Sequence, residues 1–131
     1  MSKEAVETVR EGFERWRSAS LFDLLDPAIE WEVRPDLPDA STYRGHDGVR
    51  RLFARFMDVM SDMWFSPEEL IEAGEDQVVV PLRWGGKGKG SGMEFEERRE
   101  TWVFRVRNGK ITHIKEFATR GEAFEAVGLP E

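Results

Sequence analysis

Residues 93–118 read MEFEERRETWVFRVRNGKITHIKEFA and carry the pattern that decides the fold. Apolar and polar residues alternate on both sides of Asn108-Gly109, a dipeptide typical of tight β-hairpins. Trp102, Phe104 and Val106 make the even-numbered face of the first strand the more apolar one. The stretch therefore predicts two long antiparallel strands, with one face turned toward the core.

Helical periodicity precedes this hairpin. A first helix carries a narrow apolar stripe, and a second, entered at Gly45-His46-Asp47-Gly48, has one apolar face and one arginine-rich face. The two stripes are Val6, Val9, Phe13 and Trp16, followed by Val49, Leu52, Phe53, Phe56, Met57 and Met60. Between the helices, residues 29–33 predict a half-buried strand, and residues 35–43 predict a loop.

Strands are predicted near residues 64–73, 77–85, 93–106 and 110–118, with a further turn at Gly74-Glu75-Asp76. Pro81 cannot donate a ladder hydrogen bond, so it predicts a bulge or a sheet edge. Thr119 and Glu122 have capping-box spacing, and Gly128 with Pro130 ends a short last helix.

Helices segregated from an antiparallel sheet predict an α+β fold. A flat sheet would leave the apolar faces of the helices half covered, whereas a strongly curved sheet would wrap around them. The sequence therefore predicts a cone-shaped, curled antiparallel sheet around the N-terminal helices. We expect one domain over residues 1–131, because this length leaves no room for a second.

Composition excludes several classes of function. A net charge of -7, with no run of Lys or Arg, disfavours nucleic acid as a partner. The absence of cysteine removes disulfides, thiolate nucleophiles and thiolate metal sites. Two separated histidines, His46 and His113, give no metal-site signature. No signal peptide or membrane span is recognisable, so we expect a cytoplasmic protein with no membrane partner and no cofactor.

Three groups of residues resemble the SnoaL-like branch of the nuclear transport factor 2-like superfamily. They are Tyr43-Arg44-Gly45-His46-Asp47-Gly48-Val49, the glycine-rich stretch from Arg83 to Gly92, and the ending from Asn108 through Gly128. Their order and spacing cover nearly the whole chain. The resemblance implies a cystatin-like α+β barrel, a pocket between sheet and helices, and commonly a homodimer through the convex face of the sheet. The stretch from Gly85 to Gly92 lacks the Gly-Lys-Ser/Thr ending and the following helix of a phosphate-binding loop, so its residues predict a hairpin tip instead.

The register of the hairpin decides which carboxylates meet. A three-residue loop, Arg107-Asn108-Gly109, would place Trp102 opposite Ile114 and Glu100 opposite Glu116. A two-residue loop would place Trp102 opposite Lys115 and Glu100 opposite Phe117. We prefer the first register, because it gathers Trp102, Phe104, Thr112 and Ile114 on one surface.

Two carboxylates facing each other on an enclosed surface repel, so one should be protonated near neutral pH unless an arginine lies between them. Arg83 and Arg98 are the candidates for that arginine. Such a cluster suits general acid/base chemistry, in which one carboxyl has a raised pKa and cations stabilise developing negative charge. Glu116, Glu100 and Arg83 are therefore the candidate catalytic residues.

No catalytic set of the branches of the resembled superfamily is intact in this sequence, and only the epoxide-hydrolase-like set is matched in part. Arg83 and Glu116 match the arginine and the last aspartate of the epoxide-hydrolase-like set, but Gly85 replaces its middle aspartate. The acid/base aspartate of the polyketide-cyclase-like branch falls near Thr119. The base of the ketosteroid-isomerase-like branch falls near Trp31 or Glu32.

The candidate pocket wall is aromatic. Five tryptophans in so small a domain favour an amphipathic cavity, because an indole offers a flat apolar wall and one N–H donor. The candidate substrate-binding residues are Trp31, Phe53, Phe56, Met57, Arg98, Trp102 and Ile114. The expected partner is a small hydrophobic molecule.

Three functions remain open at this point. The chain could be an acid/base enzyme of isomerase, cyclase or hydratase/hydrolase type acting on a small hydrophobic substrate. It could instead be a non-catalytic binding module for a hydrophobic ligand. The third hypothesis is an interaction domain whose own side chains fill the pocket.

Overall fold

The computed structural model describes residues 2–34, 41–88, 90 and 94–130. The helices are α1 (Ser2–Glu14), α2 (Gly45–Val59) and α3 (Arg120–Val127), with a 3-10 helix at Ala19–Leu24. The strands are β1 (Leu25–Glu32), β2 (Thr42–Arg44), β3 (Met60–Pro67), β4 (Ile71–Ala73), β5 (Gln77–Gly88), β6 (Glu94–Arg107) and β7 (Lys110–Phe117). None of the described helices is both long enough and apolar enough to cross a membrane.

The strands form one curled sheet, in an α+β fold as predicted. Their spatial order is β2-β1-β7-β6-β5-β3, and the short β4 also pairs with β5. β1 runs parallel to β7, and the other neighbours run antiparallel. This arrangement places β6 and β7, which carry the predicted carboxylates, in the middle of the sheet.

The core lies on the concave, inner face of the sheet, against α1 and α2. Val9 of α1 and Val49 and Leu52 of α2 are buried there against strand residues such as Ile29. Burying one aliphatic side chain of this size contributes roughly 1.5–3 kcal/mol to stability. The two amphipathic stripes recognised in the sequence therefore hold the helices inside the sheet.

β5 carries a continuous apolar run because both of its faces are covered. Val78, Val80 and Leu82 face the inner core, while Val79 packs on the outer face with a second cluster that includes Phe124 of α3. Thr119 Oγ1 accepts a hydrogen bond from the Glu122 backbone N–H, as the capping-box spacing predicts. Because α3 covers part of the outer face, that face is apolar as well.

The β6–β7 hairpin differs from both predicted registers. Its turn has two residues, Asn108 and Gly109, both with positive φ, so Arg107 pairs with Lys110. A bulge at Thr112 then shifts the pairing by one residue, which places Phe104 opposite Ile114 and Trp102 opposite Glu116. Trp102, Phe104 and Ile114 therefore share the inner face, but Ile111 rather than the predicted Thr112 joins them. Thr112 lies at the bulge, where its Oγ1 donates a hydrogen bond to the Arg105 carbonyl oxygen.

Several boundaries also differ from the sequence prediction. The strand predicted at 64–73 is two strands, β3 and β4, and Met60 begins β3 rather than ending α2. The last two residues of the predicted loop 35–43 belong to β2, while residues 35–40 lie outside the described residues. β5 continues to Gly88. The described residues exclude residue 89 and residues 91–93, so the tip of the glycine-rich stretch and residue 93, the predicted start of β6, are not compared with the prediction.

Pro81 lies neither at a sheet edge nor at a bulge. It pairs with Thr101 of β6 without any shift in register. On its other side, pairing with β4 ends at Val79 and pairing with β3 begins at Leu82. Pro81 therefore lies between the ends of two partner strands. No strand pairs with it there, so its missing N–H does not remove a hydrogen bond from the sheet.

Candidate functional site

Two carboxyl groups lie on the inner face of the sheet among aromatic rings. Glu100 of β6 is 6% exposed and Glu116 of β7 is 4% exposed. Both sit on the same face as Trp102, because side chains alternate along a strand and the hairpin register preserves the parity. They are diagonal neighbours, since Glu116 pairs with Trp102 rather than with Glu100.

Glu116 interacts with Trp31 of β1 and with Arg34, which follows the end of β1. Trp31 Nε1 donates a hydrogen bond of 2.8 Å to Glu116 Oε2. Burial, together with the negative charge of Glu100, raises the pKa of Glu116 to about 8, against the lowering effects of Trp31 and Arg34. The Glu116 side chain is therefore mostly protonated at neutral pH.

Glu100 accepts hydrogen bonds from two further indoles. Trp84 Nε1 lies 2.6 Å from Glu100 Oε2, and Trp102 Nε1 lies 3.0 Å from Glu100 Oε1. Each oxygen of Glu100 thus has one indole donor. Hydrogen bonds to a carboxylate are stronger than neutral ones, so these contacts compensate for much of the cost of its burial.

Arg34 connects the two carboxyl groups. Its Nη1 lies 3.4 Å from Glu100 Oε2, and its side chain is 18% exposed. Its backbone N–H and its positive charge both lower the pKa of Glu116. Arg34 thus performs the role that the sequence interpretation assigned to Arg83 or Arg98. We call Glu100, Glu116, Arg34 and the indoles of Trp31, Trp84 and Trp102 the carboxylate–indole cluster.

A small apolar cavity lies beside this cluster. Its volume is about 30 Å³, and aliphatic residues of the inner face and six aromatic rings line it. The rings are Phe13, Trp16, Trp31, Phe65, Trp102 and Phe104. Pockets for drug-sized ligands measure roughly 300–1,000 Å³, so any larger ligand requires side chains to move.

Aromatic contacts fill most of the remaining interior. Trp31 lies edge-on to Trp102 at 5.5 Å and edge-on to Phe53 at 5.8 Å between ring centroids. Phe53 stacks on Phe56 at 6.4 Å. Edge-to-face pairs of this kind add roughly 0.5–1.5 kcal/mol each beyond their burial. The wall next to the cluster is therefore a continuous layer of rings.

The structure brings together most of the residues predicted for the site. Glu100, Glu116, Trp31 and Trp102 belong to the carboxylate–indole cluster, and Ile114 lines the cavity. Phe53 and Phe56 pack, half-buried, against the aromatic layer. Their roles in catalysis or binding remain predictions.

Three predicted residues lie elsewhere. Arg83 is on the outer face of β5, where its Nη1 bonds Glu97 Oε1 at 2.8 Å, because odd positions of this strand point away from the core. Arg98 shares the face of Glu100 but is exposed near the end of β6. Met57 is 66% exposed, since the apolar stripe of α2 is narrower than predicted and leaves it toward solvent.

Sequence reasoning missed Arg34 and did not assign Trp84 a partner. Arg34 alternates with Trp31 and Val33, which suggested the solvent face of a strand. β1 ends at Glu32, however, so the alternation stops before Arg34. A signal for Trp84 was available, because it shares the inner-face parity of Val80 and Leu82.

The two histidines lie away from the cluster. His46 Nε2 is 2.8 Å from the Leu25 carbonyl oxygen, and its ring contacts Phe22. His113 is half-buried on the outer face, with Nε2 3.4 Å from Glu30 Oε2. Within the described part of the chain, no three His, Cys, Asp or Glu side chains group so as to hold a metal ion.

The sequence matches the family described as SnoaL-like domain over residues 6–114. The chain belongs to this SnoaL-like family. The match covers both helices of the inner core and the sheet as far as the middle of β7. No curated protein is similar enough in sequence to match the chain.

Solved structures share the fold of this SnoaL-like protein over almost its whole length. An NTF2-like protein from Burkholderia thailandensis is 28% identical, with a TM-score of 0.75 and coverage of 96% of this chain and 98% of the other. TerC, co-crystallised with polyporic acid, is 22% identical, with a TM-score of 0.76 and coverage of 95% and 98%. A protein with a ketosteroid isomerase-like fold from Catenulispora acidiphila, in complex with trimethylamine, is 20% identical, with a TM-score of 0.72 and coverage of 95% and 94%.

The cluster is equipped for proton transfer. A neutral carboxyl group at Glu116 can donate a proton, and a carboxylate at Glu100 can accept one or stabilise a positive charge. Arg34 and the indole N–H groups can stabilise negative charge nearby. Proton transfer to or from an apolar substrate is therefore within the chemical capacity of this SnoaL-like site.

Proposed function

We propose that this SnoaL-like protein is an acid/base enzyme of isomerase, cyclase or hydratase/hydrolase type, acting on a small hydrophobic substrate. Glu116 is its general acid. Glu100 maintains the raised pKa of Glu116 and accepts a proton from the substrate. Arg34 stabilises the negative charge that develops when the substrate loses its proton.

The observation that carries this proposal is the burial of the Glu116 carboxyl group beside Glu100 and the Trp31 indole, which raises the pKa of Glu116. A carboxyl group with a pKa near 8 is protonated at neutral pH, yet close enough to the working pH to release its proton readily. Efficient general acids have pKa values near the operating pH. Structural ion-pair networks also shift pKa values, but here the surroundings are apolar rings rather than a surface network.

The test uses two simple probes. Deuterium exchange at the α-carbon of 2-tetralone reports enolisation, and opening of styrene oxide reports hydratase or hydrolase chemistry. We expect the wild-type protein to accelerate one of them, and Glu116→Gln to lower that rate by at least 100-fold. Because the acid must stay protonated, the rate should fall above about pH 8.

The matched control is Glu97→Gln on the outer face of the sheet. Glu97 is exposed and pairs with Arg83, so this substitution removes a carboxylate without touching the site. Its rates should equal those of the wild type. A Glu116→Gln variant that keeps the wild-type rate, or a rate without any dependence on pH near 8, would rule out Glu116 as the acid.

The apolar lining of the cavity favours a second function, a non-catalytic binding module for a hydrophobic ligand. The cavity wall exposes carbon surface, and its two neighbouring carboxyl groups already have indole donors. Polyporic acid and trimethylamine, which the two structural neighbours hold, are suitable probes. A binding module should keep its affinity in Glu116→Gln and lose it in Trp102→Ala, without turnover of any probe.

We also propose that two copies of the chain associate through the outer face of the sheet. A groove of about 220 Å³ there has an apolar floor, formed partly by Val103, Phe117 and Val127, between charged side chains. Sedimentation should give twice the monomer mass. Phe117→Arg should give monomers if this face is the interface, and a dimer that persists in this variant would place the interface elsewhere.

A further inference from the structure

Trp84 holds the outermost position in the carboxylate–indole cluster. Trp31 and Trp102 are 3% and 4% exposed, whereas Trp84 is only half-buried. Its indole nevertheless makes the shortest hydrogen bond of the three, 2.6 Å from Nε1 to Glu100 Oε2. A donor group on a flat ring therefore lies between Glu100 and solvent.

The ring of Trp84 continues the aromatic layer of the interior toward the surface. It lies against Phe65, with 6.2 Å between ring centroids and an angle of 34° between the planes. Phe65 in turn lies 5.1 Å from Trp102, which lines the cavity. A ring that replaced the Trp84 indole would therefore contact both Phe65 and the approach to the cavity.

The strand is irregular next to Trp84. Trp84 pairs with Arg98, but the β5–β6 register shifts between Trp84 and Gly86. Two glycines, Gly85 and Gly86, follow directly, and the Trp64 ring and the Met60 side chain lie close above them. Trp84 packs at the margin of the inner core, where its indole donates a hydrogen bond to Glu100 and contacts the ring of Phe65. A ligand that displaces the indole must replace both contacts.

We infer that Glu100 Oε2 and the face of Phe65 form a binding subsite for a flat aromatic ring that carries an N–H or O–H donor. In the protein without ligand, the indole of Trp84 occupies this subsite. A ligand with the same features displaces the indole and thereby enters the site next to Glu116. This inference names the substrate class of the proposed function and rests on that function for its catalytic meaning.

The chemistry of the subsite selects for a donor. Glu100 Oε2 is an acceptor in largely apolar surroundings, and leaving such an oxygen without a donor is costly. A ring without a donor would displace Trp84 and leave Glu100 Oε2, among the described side chains, with Arg34 at 3.4 Å. Sites built to bond a donor reject analogues that lack it far more strongly than sites that select for size alone.

Indole and benzofuran test this selection, because they have the same shape and only indole has an N–H donor. The protein carries five tryptophans, so fluorotryptophan labelling should give five fluorine NMR signals, and Trp84→Phe identifies the Trp84 signal by its loss. We expect indole to shift the Trp84 signal of the wild-type protein. We expect benzofuran to bind at least about 10-fold more weakly.

Two variants extend the test. In Trp84→Phe the internal donor is gone, so indole should bind about 10-fold more tightly than it binds the wild type. In Glu100→Gln a neutral amide replaces the carboxylate, and the preference for indole over benzofuran should fall to about threefold or less. Both measurements need only binding, so they do not depend on turnover of any substrate.

Equal affinity for indole and benzofuran would overturn the inference, as would indole binding that leaves the Trp84 signal unmoved. Absence of indole binding to both wild type and Trp84→Phe would overturn it as well. Failure of the proposed function looks different, since indole would then still bind selectively while the proton-transfer probes showed no turnover.

Discussion

Replacing Glu116 with glutamine should make the stability of this protein far less dependent on pH. The carboxyl pKa is raised from 4.5 to about 8 in the folded protein, because the group is buried near Glu100. Between these two values, the folded protein holds a proton that the unfolded chain releases. Stability that is fully present below pH 4.5 is therefore lost as pH rises toward 8.

The size of the loss follows from linkage. Each unit of pKa difference corresponds to about 1.4 kcal/mol, so the wild-type protein should lose several kcal/mol of stability between pH 5 and pH 8 through this one group. A glutamine does not titrate, and its amide oxygen can still accept the Trp31 N–H. At pH 8 the Glu116→Gln variant should consequently be the more stable protein, by several kcal/mol.

Urea unfolding followed by tryptophan fluorescence, at steps between pH 5 and pH 8, measures this difference. All other titrating groups are common to both proteins, so their contributions largely cancel in the comparison. The exposed Glu97→Gln variant should follow the wild-type curve. Parallel curves for wild type and Glu116→Gln would refute the reasoning, since they would mean that Glu116 ionises normally in the folded state.

Three further substitutions test individual contacts. Trp31→Phe removes the N–H donor to Glu116 and should raise the pKa of Glu116 further, as measured by isotope-edited infrared spectroscopy of the carboxyl band. Arg34→Gln should raise the same pKa by removing a nearby positive charge, whereas Arg98→Gln, at an exposed position, should leave it unchanged. Gly128→Ala should cost about 1 kcal/mol in urea unfolding, because the left-handed C-cap of α3 has φ of 75°.

The shared face of Glu100 and Trp102 could be predicted from the sequence, although their pairing partners could not. Alternation places Glu100 and Trp102 on one face of β6 whatever the register, and both are buried. The register depended on two local choices, the turn at Asn108-Gly109 and the bulge at Thr112. These choices depend on backbone geometry and side-chain packing, which alternation alone does not contain.

The arginine of the site could not be predicted for a different reason. The candidates from the sequence were Arg98 and Arg83, of which Arg83 matches the arginine of the epoxide-hydrolase-like set. Arg34 comes from beyond the end of β1, and only the parallel β1–β7 pairing, with Trp31 opposite Ile114, brings it to Glu100 and Glu116. A parallel pairing between strands about 80 residues apart has no local signature in the sequence.

The Trp31–Glu116 hydrogen bond can be tested for whether it contributes to stability or is retained for proton transfer. Replacing both members of a buried hydrogen-bonded pair with apolar groups is often neutral or stabilising, whereas removing one member leaves the other unsatisfied and costs roughly 1–3 kcal/mol. Glu116→Leu should therefore lose about that much at pH 5, and adding Trp31→Phe should restore most of it. At pH 8 the double variant should exceed the wild type in stability, since the wild type then has a carboxyl group whose burial opposes its ionisation.

Such a variant would keep the fold and lose proton transfer, which is the trade-off expected of a group retained for chemistry rather than for packing. If the double variant were instead less stable than either single variant, the pair would have a structural role, and the cluster would no longer support the proposed acid.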